Sequence, residues 1–121
     1  MIARFFPFML VAGLILCAWP VSALAHASLS SSTPAADAVV SKPPETVTLR
    51  FTGRIEPDFS TIEVTDSAGR QVDKGDSSVS SNRRAIEVDL EPLEPGEYHV
   101  EWTVVARDGH RMRGDFSFTV E

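Results

Sequence analysis

The sequence predicts an all-β domain, an immunoglobulin-like Greek-key sandwich or barrel of about seven short strands. Three observations lead there. Apolar residues recur at every second position through much of residues 46–120, the period of a half-buried strand. No stretch after residue 25 sustains a helical period, and Pro34, Pro43, Pro44, Pro57, Pro92 and Pro95 interrupt any attempt at one. Turn residues close the runs at intervals of roughly 8–12 residues, the spacing of a sandwich.

The elements follow in order. A lead-in rich in Ser, Pro and Ala occupies residues 26–44. Val47, Leu49 and Phe51 then alternate with Thr46, Thr48, Arg50 and Thr52, until residues 53–58 break the run. The next run spans 59–65 with Ile62 and Val64 inward, and Asp66-Ser67-Ala68-Gly69 turns the chain. Residues 71–73 read as a short edge strand, and the polar, serine-rich stretch 74–83 reads as a mobile surface loop. Ile86, Val88 and Leu90 form the next inward set, closed by residues 92–96. Tyr98, Val100, Trp102 and Val104 share one face of a longer run, with Trp102 expected between the sheets. Phe116, Phe118 and Val120 align in the last run.

Residues 1–25 read as a secretory signal peptide. One positive charge at Arg4 precedes an apolar run from Phe5 to Val21, and Ala23-Leu24-Ala25 is a small-x-small cleavage pattern. An uncleaved anchor is the competing reading, because such a run sits near the lower limit for a membrane span. Cleavage after Ala25 leaves 96 of the 121 residues as one domain, 26–121. It also removes Arg4 and Cys17, so the formal charge moves from −6 to −7 and no cysteine remains. A chain of this size supports one core. Its acidic balance and lack of a Lys/Arg cluster exclude a phosphate-backbone binder, so nucleic acid is not an expected partner. Thiolate chemistry and disulfides are likewise excluded from the expected mature form.

Cleavage would place His26 at the amino terminus. There its α-amine and ring Nδ1 can chelate one metal ion together, and an α-amine gives up its proton far more readily than a lysine does. A second cluster is Asp108-Gly109-His110. In an extended segment residues i and i+2 face the same side, so a carboxylate and an imidazole can converge; a plain Asp-Gly turn is the competing reading. The combined set of amine, imidazoles and carboxylate suits Cu(II), with zinc as the competitor. Met112, the only methionine after residue 25, is a weaker axial candidate, and His99 is expected on an exposed strand face.

The chain resembles the CopC family of periplasmic copper-binding proteins. The resemblance is carried by His26-Ala27-Ser28-Leu29, Ser32-Thr33-Pro34-Ala35, the Val47-to-Phe51 strand, the segment from Gly96 to Val105, and Asp108-Gly109-His110 followed by Gly114 and Phe116-Ser117-Phe118. It implies His26, Asp108 and His110 as Cu(II) ligands in an exported, soluble, non-enzymatic carrier. A CopD-type inner-membrane copper transport protein is the partner it implies. The methionine-rich Cu(I) loop of some members has no counterpart here, which implies a Cu(II)-only member. The glutamate that some members place after the Leu-x-Phe strand is also missing from Thr52-Gly53-Arg54. Two other classes remain: a copper-dependent oxidative enzyme of the polysaccharide monooxygenase type, which also uses a terminal histidine, and an adhesion module with no need of a processed terminus.

Overall fold

The computed structural model describes residues 27–121; the expected signal peptide and His26 lie outside the described residues. Eight strands follow in order: β1 (Leu29–Thr33), β2 (Val39–Val40), β3 (Thr46–Phe51), β4 (Thr61–Asp66), β5 (Ser78–Val79), β6 (Ala85–Asp89), β7 (Gly96–Val105) and β8 (Arg111–Val120). Two four-stranded sheets result, ordered β1-β3-β6-β5 and β2-β8-β7-β4. Every pairing between them is antiparallel except β2 with β8. The all-β sandwich read from the alternation is therefore the fold.

The alternating sets supply the core because period two sends each set to one face of its sheet. Val47, Leu49, Ile86 and Val88 from one sheet and Val64, Val100, Val104 and Phe118 from the other are nearly inaccessible. Tyr98 stacks on Phe118 with ring centroids 5.5 Å apart, and its hydroxyl donates to the Glu94 carbonyl four residues upstream. That bond closes a tyrosine corner and satisfies the one polar atom the ring would otherwise bury. Trp102 sits between the sheets, half-buried and edge-on to Phe51 with centroids 5.3 Å apart.

Several local expectations change. The lead-in contains β1, whose sequence Leu-Ser-Ser-Ser-Thr half-buries only Leu29 and Ser32, leaving no alternating apolar signal to read. The run expected from residue 59 begins at Thr61, because Phe59 has φ +68° and is exposed. Residues 71–73 form isolated bridges rather than a strand. There the buried Asp73 carboxylate replaces part of the ladder, accepting the Val64 N–H at 2.8 Å and the Gly75 N–H at 3.0 Å. The stretch 74–83, expected to be a loop throughout, contributes β5. Val79 packs on the core, and the Arg83 N–H donates to the Ser80 carbonyl at 2.8 Å in the turn that follows.

Candidate metal centre

The hairpin between β7 and β8 carries two of the three residues singled out from sequence. Its turn, residues 106–110, closes when the Ala106 N–H donates to the His110 carbonyl at 2.8 Å and the Gly109 N–H donates to the Ala106 carbonyl at 2.9 Å. Gly109 has φ +87°, a conformation side chains disfavour, so glycine is required at the corner. The extended i, i+2 geometry is thus replaced by a tight turn, and the turn itself brings Asp108 and His110 together. Asp108 Oδ1 accepts the His110 backbone N–H at 3.0 Å, and Oδ2 lies 2.8 Å from the ring Nδ1.

The carboxylate favours the imidazole tautomer with its proton on Nδ1, which leaves the lone pair on Nε2. Both side chains reach solvent, with His110 66% and Asp108 30% exposed. The pair is therefore presented at one end of the sandwich and not packed into it.

The start of the described chain reaches the same end. Ala27 is 1% exposed, against Gly53 in the segment that follows β3. The Thr52 N–H donates to the Ser28 carbonyl at 2.8 Å, and the Ser28 N–H to Thr52 Oγ1 at 2.9 Å. One residue past Gly53, the Arg54 carbonyl accepts the Arg107 N–H at 3.2 Å, and Asp108 is next. Ser60 adds a further tie, accepting the Val105 N–H at 3.1 Å while donating to the Glu56 carbonyl at 2.6 Å. A network of backbone bonds thus connects the seat of Ala27 to the Asp108–His110 turn.

The other candidates lie apart or serve packing. His99 is on the outward face of β7, about 20 Å along the strand from Val105 at ~3.3 Å per residue. Its Nδ1 is 3.2 Å from Ser117 Oγ, and its Nε2 is 3.3 Å from Asp115 and 3.6 Å from Glu101. Met112 pairs across from Val104 and packs partly buried against the core. Among the described residues no group of three or more His, Cys, Asp or Glu side chains is placed to hold a metal ion. Asp108 and His110 are the two of the three expected ligands that lie among the described residues.

Gly53 and Gly114 are two residues whose roles the sequence did not reveal. Gly114 lies opposite Trp102 across β7 and β8, and a Cβ there would stand 2.6 Å from the indole Cε2 and 2.9 Å from Nε1. The motif glycine exists to let the indole lie flat on the strand. Neither glycine has a positive φ. No local conformational signal could have found them.

The CopC domain family model matches residues 29–121. The chain belongs to the CopC family. Copper resistance protein C of Escherichia coli is 33% identical over 112 residues, covering 83% of this chain and 85% of that protein. The crystal structure of CopC from Methylosinus trichosporium OB3b superposes with a TM-score of 0.74 at 35% identity, covering 79% of this chain and 94% of that one. PcoC from Escherichia coli, described as a methionine-rich copper resistance protein, superposes with a TM-score of 0.70 at 30% identity, covering 79% and 99%. The CopC match extends over both sheets and the β7–β8 turn.

Proposed function

We propose that this CopC-family protein is a Cu(II) carrier, exported to the periplasm, which holds its ion with His26, Asp108 and His110. His26, exposed as the terminus by cleavage after Ala25, supplies its α-amine and Nδ1. His110 supplies Nε2, and Asp108 holds that ring through Nδ1 and brings a carboxylate charge to the same centre. The observation that carries the reading is the 2.8 Å Asp108–His110 pair, joined by backbone bonds to the seat of the residue that follows His26.

The donor set fits Cu(II). Amine and imidazole nitrogens with one carboxylate suit a tetragonal centre, and Cu(II) heads the Irving–Williams order. Copper here is cargo, held in an exposed turn from which it can be passed on. A CopD-type inner-membrane copper transport protein is the proposed recipient. The copper resistance named in the relatives supports a copper-handling role.

The test is a copper titration with electron paramagnetic resonance on two proteins, one beginning at His26 and one retaining a single residue ahead of it. Extension turns the α-amine into an amide and removes one chelating nitrogen, so affinity should fall about 100-fold or more, against a nitrogen-rich tetragonal spectrum for the native terminus. Equal affinities for the two termini would sink the reading.

A further inference from the structure

Ala27, two residues ahead of β1, is buried to 1% exposure. Three features hold it there. Gly53 has no side chain to displace it: an ideal Cβ on Gly53 would stand 3.1 Å from Ala27 Cα, 3.2 Å from its Cβ and 3.3 Å from its N. Thr52 bonds Ser28 twice, through its N–H and its Oγ1, at 2.8 and 2.9 Å. Arg84 clamps the other side of that segment, its Nη1 donating to the Thr52 carbonyl at 2.6 Å. Gly53 lacks a positive φ, so what it contributes is the missing methyl and not backbone freedom.

We propose that Thr52 and Gly53 form a seat for the amino-terminal segment, and that Gly53 is a positioning residue for the copper centre. The seat lies one residue from Arg54, whose carbonyl binds the Arg107 N–H beside Asp108. It therefore fixes the point from which His26 departs relative to the β7–β8 turn. A chelating terminus that is already docked binds its ion without the ordering cost a loose tether would incur. The inference rests on the reading of His26 as a ligand.

The experiment compares Gly53→Ala, Gly53→Val, Thr52→Val, Ala27→Gly and the Gly53→Ala/Ala27→Gly double variant, all beginning at His26. Cu(II) affinity, the paramagnetic resonance spectrum, and hydrogen exchange of the Ser28 amide in metal-free protein are measured. A Cβ at Gly53 displaces Ala27 by a few tenths of an ångström, and Val displaces it further. Gly53→Val should weaken Cu(II) binding by about 10- to 100-fold, the range for residues that orient metal ligands. It should also change the spectrum and speed Ser28 exchange, with Gly53→Ala intermediate. Ala27→Gly removes one of the clashing atoms and should recover part of the Gly53→Ala loss.

Native affinity and spectrum in Gly53→Val, or a Gly53→Ala loss that Ala27→Gly leaves in place, overturns the seat. If Gly53→Val does not fold, Thr52→Val decides the matter, since it deletes the Ser28 acceptor; unchanged Ser28 exchange and unchanged affinity there also overturn it. His26→Ala separates the two levels. Native affinity in that variant refutes the ligand reading, whereas lost affinity alongside a native-like Gly53→Val refutes the seat alone.

Discussion

Replacing Asp108 with Asn changes one atom of the turn and tests what the carboxylate does. In the native turn both carboxylate oxygens accept hydrogen bonds from His110, the backbone N–H at 3.0 Å and Nδ1 at 2.8 Å. Asn has one acceptor oxygen, so one of those two donors loses its partner whichever way the amide is turned. With the oxygen kept on the backbone N–H, the –NH2 faces Nδ1 and selects the tautomer with its proton on Nε2. That is the nitrogen proposed above to bind copper. With the amide reversed, the ring keeps its tautomer but the turn loses its bond to the His110 backbone and its negative charge.

Either route removes an interaction of the kind worth about 10- to 100-fold in metal affinity, or about 1.4–2.7 kcal/mol. The metal-free fold should barely respond. The turn keeps its Ala106–His110 and Gly109–Ala106 backbone bonds, and an exposed substitution of this kind falls within about 0.5 kcal/mol. The assay pairs a competition titration with Cu(II) and a urea melt of the apo protein, both at one pH. A change in affinity below threefold, or an apo destabilisation as large as the loss in binding, would refute the reasoning.

Three further outcomes are expected. Gly114→Ala places a methyl against the Trp102 indole, so overpacking of about 1–3 kcal/mol should lower Tm by roughly 4–8 °C per kcal/mol; an unchanged melt with unchanged Trp102 fluorescence would contradict the contact. Asp66 accepts the Arg70 and Ala68 N–H groups at 2.9 and 3.0 Å and faces the Arg70 guanidinium, which hold its carboxyl below the usual value. A lowered folded pKa adds stability above the unfolded value of about 3.8 that is lost as the pH falls through the folded one. The stability gap between native protein and Asp66→Asn in urea melts should therefore shrink on acidification below that region, and a gap constant from neutral pH to strong acid would count against it. Cu(I) should bind weakly, because soft thiolate and thioether donors are reduced to Met112 after residue 25; tight capture in competition with a Cu(I) chelating probe would contradict this.

The strands that face the core were legible because burial on one side of an antiparallel sheet imposes period two on the sequence. Val47-to-Phe51 and Tyr98-to-Val104 follow it closely, and β3 and β7 lie where that alternation puts them. β1 was not legible, since an edge strand with only Leu29 and Ser32 half-buried needs no such pattern. The two-residue strands β2 and β5 are defined by their partners alone. The Asp-Gly-His spacing foretold that Asp108 and His110 would converge, but their i, i+2 proximity arises from the Gly109 corner and not from extended alternation.

What the sequence determines by itself is thus local: the alternation that makes strands, the glycine that makes the hairpin corner, and the donor chemistry of the Asp108–His110 pair. What only the tertiary structure decides is which distant segments meet. Ala27 against Gly53, and Gly114 beneath Trp102, are contacts between residues far apart in the chain or on different strands. Each glycine is required because something non-local occupies the space its side chain would fill. That requirement is steric and leaves no mark on φ or on hydropathy, so it becomes visible only once the sheets are paired and Ala27 is set against Gly53.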